Sequence, residues 1–323
     1  MINGILNIYK EKGYTSHDVV AKLRKIIGQK KIGHTGTLDP DAEGVLPVCL
    51  GRATKVCDML TERDKTYEAV LLLGKTTDTQ DISGTVLEER ATDGVTEEKA
   101  EECIRGFEGE YDQVPPMYSA LKVNGKKLYE LAREGKTVER KSRRVRINGI
   151  RILEISLPRI RMEVSCSKGT YIRTLCQDIG ERLGTGGCME SLLRTRSGRF
   201  GIEESLRLDE VEKAVSEEKL DRILIPLDSV FEGALKGTVT GGHVQKAYNG
   251  NSVPAKGVTL LGTPEGIEKN DEMQGELQSG RQYRLYDPEG RFIGIYRLSE
   301  DNRRFELEKM FLDPEEVPSG RMN

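Results

Sequence analysis

Hydrophobic positions recur along the chain with two periods. Val19, Val20, Leu23, Ile26 and Ile27 fall on one stripe at helical spacing and predict a helix over Ser16–Ile27. Thr15, with Asp18 three residues on, resembles a capping box at its start, and Gly28 stops it. Residues 97–106 and Tyr171–Leu183 carry the same period, and a shorter helix is expected near Ala53–Arg63. Strand patterns lie at Tyr67–Leu73, ending on Gly74, and at Arg144–Ile155 and Ile160–Cys166, which read as a pair. The turn Ser167-Lys168-Gly169 leads from that pair into the helix at Tyr171, whereas Gln113-Val114-Pro115-Pro116 cannot continue any helix.

The pattern changes after Phe231. From Gly233 on, short apolar runs at Gln282–Tyr286, Phe292–Leu298 and Phe305–Phe311 alternate with turns at Asp287-Pro288-Glu289-Gly290 and Ser299-Glu300-Asp301-Asn302. Such spacing predicts a small β-barrel or sandwich of roughly 80 residues. No internal repeat of solenoid period is present.

A chain of 323 residues is long enough for about two domains, each with its own core. Its longest uninterrupted apolar run, Ala69–Leu73, is far short of a membrane span. The N-terminal stretch has neither the basic nor the apolar region of a signal peptide. Six cysteines never occur as Cys-x-x-Cys and only three His accompany them, so reduced, buried thiols are expected and a structural zinc site is not.

Charge is unevenly spread. Residues 122–151 hold eleven Lys/Arg against three Glu, a net +8 within a chain whose formal charge is −3. A run of this kind is either a solvated face or a polyanion site. Its density, with Tyr118 and Tyr129 close by, makes nucleic acid the first candidate partner.

Residues 33–47, Gly-His-Thr-Gly-Thr-Leu-Asp-Pro-Asp-Ala-Glu-Gly-Val-Leu-Pro, concentrate the chemistry. Asp39, Asp41, Glu43 and Gly44 resemble the opening of a calcium loop, but Leu50 stands where its bidentate Glu belongs. Gly33-x-x-Gly36 lacks the Gly-Lys-Ser/Thr of a phosphate loop. Two readings remain: a loop that holds Asp39 at the floor of a site, and an ordinary Asx turn.

The same stretch resembles the catalytic motif of the TruB family of tRNA pseudouridine synthases, with Asp39 at the family's aspartate. Asp64-Lys65-Thr66-Tyr67, Val114 to Gly125, Cys166 to Leu175 and Leu192-Leu193-Arg194 resemble further family blocks in the same order. The likeness runs from residue 3 to about 230, and looser similarity to a PUA-like RNA-binding tail follows.

That resemblance implies an α+β fold: a mixed, largely antiparallel sheet forming a catalytic domain over 1–230, a small β-rich PUA-like domain over 233–312, and a tail at 313–323. It implies isomerisation of the T-loop uridine at position 55 of tRNA to pseudouridine, by base flipping and without cofactor or metal. Asp39 would be the catalytic carboxylate and Arg173 its guanidinium partner; taken alone, Arg173 reads as a helix-surface arginine. Tyr67 would stack on the uracil, and Tyr171 and Leu192 would wall the base pocket; taken alone, each reads as core. His34 would fill the vacated space in the RNA or contact the flipped nucleotide. Arg140, Lys141, Arg143 and Arg144 would grip phosphates. A cytoplasmic monomer acting on the T stem-loop of tRNA, with no obligate protein partner and no membrane, is expected. The alternatives are a tRNA-folding chaperone and a guide-RNA-dependent synthase.

Overall fold

A computed structural model describes residues 1–123, 125–261 and 278–312. The expected tail at 313–323 lies outside the described residues. By packing, the chain divides into two units. One comprises Leu6–Leu50 and Val56–Ile223; the other takes Ile2–Ile5, Gly51–Lys55 and the chain from Leu224 on.

The larger unit is built on a nine-stranded sheet. Its strands are β1 (Gly4–Lys10), β2 (Ile32–His34), β3 (Glu43–Leu50), β4 (Lys65–Leu73), β7 (Gly109–Gln113), β10 (Arg143–Ser156), β11 (Arg159–Cys166), β12 (Gly187–Ser197) and β13 (Phe200–Gly201). Short hairpins β5 (Lys75–Thr77)–β6 (Val86–Glu89) and β8 (Lys122–Val123)–β9 (Lys126–Lys127) lie between them in sequence. The main order is β1-β3-β12-β4-β11-β10-β7, with β2 on β3 and β13 on β12. β4, β7, β10, β11 and β12 pair antiparallel, while β12 and β3 run parallel. The sheet is therefore mixed and largely antiparallel.

Local sequence explains the elements. Helix α1 (Ser16–Ile27) starts at a reciprocal cap: Thr15 Oγ1 accepts from the Asp18 amide at 3.0 Å, and Asp18 Oδ2 accepts from the Thr15 amide at 2.8 Å. Gly28 ends it at φ 70°. Near Ala53–Arg63 the chain forms a 3-10 turn over Gly51–Val56 and then only the short α2 (Cys57–Thr61), a more broken helix than its pattern predicts. Along β11, Ile160, Met162, Val164 and Cys166 are buried while Arg159 and Arg161 are exposed, the alternation of a strand with one face on a core. Helices α3 (Glu97–Arg105) and α5 (Ile172–Arg182) supply Ala100, Ile104, Leu175, Cys176 and Ile179 to that core; α4 is Leu128–Arg133.

The second unit carries a six-stranded sheet, ordered β15-β19-β18-β17-β14-β16. The strands are β14 (Leu235–Val239), β15 (Val253–Pro254), β16 (Val258–Leu261), β17 (Gln282–Tyr286), β18 (Phe292–Leu298) and β19 (Arg304–Met310). The β-rich reading of this region holds, and both expected turns form: the Asp287 amide donates to Arg291 O, and that of Ser299 to Arg304 O. No helix among the described residues is long and apolar enough to cross a membrane, and all six cysteines are free thiols.

Candidate active site

Loops and strand ends of the larger unit surround a cleft of about 1510 Å³. Asp39 comes from the loop between β2 and β3, Tyr67 from β4, Tyr171 and Arg173 from the start of α5, and Leu192 and Arg194 from β12; all line the cleft. Gly44 makes the juxtaposition of β3 with β12 possible. Its φ is 102°, and a Cβ there would lie 2.2 Å from the Arg194 carbonyl oxygen.

Arg173 organises the floor. Although it sits in the first turn of a helix, it is only 5% exposed, so the surface-arginine alternative is excluded. Its Nε lies 3.1 Å from Asp39 Oδ2, and Nη1 lies 3.5 Å from Asp81 Oδ2. It also donates to Thr79 O at 3.0 Å and Tyr118 O at 2.8 Å. One guanidinium thus ties together four segments distant in sequence, through charge-assisted bonds of fixed direction.

Asp39 keeps 41% of its side-chain surface open to the cleft. Desolvation by the surrounding walls nonetheless dominates and holds its carboxyl above the ordinary carboxylate value; Arg173 opposes this and Asp81 reinforces it. The geometry holds the carboxylate in place while leaving it at higher energy than in water.

Tyr67 is 9% exposed and stands opposite Arg194 in the β4–β12 register. Burial raises its hydroxyl above the ordinary phenol value, and the charge of the nearby Arg194 guanidinium pulls the other way. Tyr67 belongs to the core cluster and also lines the cleft. Leu192 is partly buried against the same cluster. Burial raises the Tyr171 hydroxyl as well.

His34 is half-buried at the end of β2, its Nδ1 accepting from the Gly36 amide at 3.3 Å. Its ring stands edge-on to His17, centroids 5.4 Å apart, and of the two His17 lines the cleft. Burial, then His17, lowers the pKa of His34.

The basic stretch is not uniform. Lys141 and Arg143 are exposed. Arg144 is exposed too, but it pairs with Glu110 at 3.4 Å and Asp112 at 3.5 Å across β10 and β7. Arg140 donates from Nη1 to Pro115 O at 3.0 Å, and its Nε is buried. Of the four residues expected to grip phosphates, Arg140 is thus engaged in holding the 115–120 loop. A cationic fork satisfies a carbonyl as readily as a phosphate, and sequence does not distinguish the two.

Three site residues escaped the sequence reading. Lys10 is fully buried at the end of β1 and donates from Nζ to Tyr14 O at 2.6 Å and to Glu11 O and Pro40 O, each at 3.1 Å. Desolvation lowers it to about 8, against the pull of Glu43, Asp39 and Asp41. Asp81 lies in a tight turn, bonded to Thr79 Oγ1 at 2.8 Å and the Ser83 amide at 3.1 Å. Arg194 is 1% exposed, with Nε donating to Val45 O at 2.7 Å. A lysine or arginine in a strand reads as solvated in sequence. Among the described residues no group of three or more His, Cys, Asp or Glu is placed to hold a metal ion.

The chain matches the model of the TruB family pseudouridylate synthase N-terminal domain over residues 24–172, and that of the tRNA pseudouridylate synthase B C-terminal domain over 173–232. It is 50% identical over 319 residues to a tRNA pseudouridine synthase B of Lachnoclostridium phytofermentans, covering 96% of this chain and 100% of that one. A protein of the same name from Clostridium perfringens (strain SM101 / Type A) is 42% identical, covering 97% of this chain and 100% of that one. Among solved structures, a Cbf5-Nop10-Gar1 complex contains a chain 28% identical with a TM-score of 0.68, covering 97% of this chain and 86% of that one. An H/ACA RNP bound to a substrate RNA containing 2'-deoxyuridine contains another, 25% identical at the same TM-score and the same coverage. With the aspartate, tyrosines and arginine of the family blocks gathered around one cleft, and near-full-length relatives at this identity, the chain belongs to the TruB family of pseudouridylate synthases.

Proposed function

We propose that this protein converts the T-loop uridine at position 55 of tRNA to pseudouridine, with Asp39 as the catalytic carboxylate. The observation that carries this reading is the Asp39–Arg173–Asp81 arrangement on the floor of an open cleft. The N1–C1′ bond breaks, the base turns, and C5 joins C1′. The hydrogen on C5 leaves as a proton, and N1 gains one from solvent. Atoms and electrons balance without redox or group transfer, so no cofactor is required.

The target base must leave its stack to reach Asp39, at a cost of a few kcal/mol. Tyr67, Tyr171 and Leu192 would receive it as an apolar wall, with His34 near the point of extrusion. An Asp39 carboxylate raised by burial is poised to gain from positive charge developing at C1′, since the transition state repays a desolvation that the resting enzyme carries. Lys141, Arg143 and Arg144 would contact phosphates and set affinity, while the pocket sets selectivity. The PUA-like C-terminal domain, about 233–312, would add RNA contacts to those of the catalytic domain, 1–230.

The enzyme would act as a cytoplasmic monomer without an obligate protein partner. A guide-dependent role is the second reading, favoured only by the solved neighbours from H/ACA assemblies. Incubating the purified chain with unmodified tRNA tritiated at uridine C5 decides the matter. One tritium should be released per pseudouridine formed, at position 55, unchanged by EDTA. Turnover only after a guide RNA is added would select the second reading, and binding with no tritium release would leave a chaperone.

A further inference from the structure

The carboxamide of Gln113 is 1% exposed, and every direction of its hydrogen bonding is fixed. The Tyr171 amide donates to Oε1 at 2.7 Å, so that atom must be the oxygen. Nε2 therefore donates, to Tyr171 O at 3.0 Å and to the Tyr111 hydroxyl at 2.6 Å. With its oxygen accepting, the Tyr111 hydroxyl must point its hydrogen at Asp178 Oδ2, 3.0 Å away. The last side chain of β7 thus makes both bonds of a strand pair to the backbone of a single residue.

That residue is the N-cap of α5. Tyr171 has extended backbone, φ −100° and ψ 109°, and no side chain caps the helix. Two residues on stands Arg173, which holds Asp39 and Asp81. We infer that Gln113 is a positioning residue of the active site: by clamping the N–H and C=O of Tyr171 it sets the direction in which Tyr171 and Arg173 enter the cleft. Gln113 itself does not line the cleft among the described residues, so it acts only through these two.

The inference rests on the proposed activity, and the experiment keeps the two apart. Wild-type turnover of unmodified tRNA is measured first; its absence would indict the activity, and amide exchange over residues 168–175 would then judge the clamp alone. Gln113→Ala should lower kcat by about 10- to 100-fold, the cost of an ångström-scale misplacement, with KM for tRNA nearly unchanged. Exchange at the Tyr171 amide should accelerate.

Tyr111→Phe removes the distant bond but spares both bonds to Tyr171, and should stay within about threefold of wild type. An equal loss in this variant would make the network, not the clamp, responsible and would overturn the inference. Gln113→Glu keeps the fold testable should the alanine variant misfold. Protonated, its carboxyl reproduces the acceptor and one donor; ionised, it turns an oxygen on the Tyr171 carbonyl. Tyr111 on the same strand, Arg143 across the β7–β10 pair, and Tyr171 and Asp178 on the α5 side are the titratable groups facing it. Its activity relative to wild type should rise as pH falls. A flat ratio, or a Gln113→Ala kcat within twofold of wild type at equal folded fraction, would refute the positioning role.

Discussion

Arg173 and Asp39, 134 positions apart in the chain, meet with Nε 3.1 Å from Oδ2 and Nη2 3.5 Å from Oδ1. The carboxylate faces one edge of a planar fork, so its orientation as well as its charge is set. Lysine would keep the charge and lose the fork. Arg173→Lys should therefore lower kcat by about 100-fold while tRNA affinity changes less than about threefold, measured by single-turnover kinetics and filter binding.

Asp39→Asn should bring turnover below about a hundredth of wild type with tRNA binding retained. The same variant should be more stable at pH 7. The folded carboxyl is raised above its ordinary 3.8, so between that value and the raised one the folded state holds more protons than the unfolded chain. Stability falls as pH rises through that window, and above it the whole cost of the charge is present. Asparagine removes the cost. Thermal melts at neutral pH should show a higher Tm for the variant, with the gap closing below pH 4; a lower Tm at pH 7 contradicts this account.

Asp81 raises the Asp39 carboxyl by like charge. Asp81→Asn should shift the acid limb of the kcat profile to lower pH, because Asp39 then ionises more readily. It should also reduce kcat, since Arg173 loses one of its two carboxylates and gains freedom to turn. An acid limb moving upward would contradict the assigned coupling.

Lys10 anchors the Asp39 loop from beneath through Pro40 O. Pro40 O and Glu11 O also accept from the Gly13 and Tyr14 amides, so Lys10→Met chiefly strands Tyr14 O. A net loss of about 1–3 kcal/mol is expected by urea denaturation. With the folded ammonium at about 8 against an ordinary 10.5, the unfolded chain binds the extra proton between those values. Wild-type stability contributed by Lys10 should therefore rise with pH across that window, and Lys10→Met should abolish the rise.

Neutralising Lys141 and Arg143 together should lower the log–log salt slope of tRNA binding by roughly 0.7–0.9 for each phosphate that these cations neutralise, with kcat at saturation unchanged. Arg140→Gln should instead leave the slope unchanged and lower Tm, because its guanidinium holds Pro115 O. A slope change from Arg140→Gln alone would return that residue to the RNA-binding face.

Local physics made much of this protein legible from its sequence. The Thr15–Asp18 cap, the α1 stripe, the alternation along β11 and the turns of the second unit are all set within a few residues, so pattern suffices. Asp39 was legible because a whole motif surrounds it. Strands β3 and β12 were not: besides the short neighbours β2 and β13 they pair with each other and with distant β1 and β4, and their burial depends on those neighbours. Lys10, Arg194 and Gln113 show the same divide. A charged or amide side chain in a strand is read as solvated unless something supplies acceptors, and only the tertiary structure brings the backbone of Pro40, Val45 and Tyr171 to them. Sequence thus determined the locally coded elements and singled out Asp39 as the candidate carboxylate. The fold decided which polar groups are buried, because burying one requires partners supplied from elsewhere in the chain.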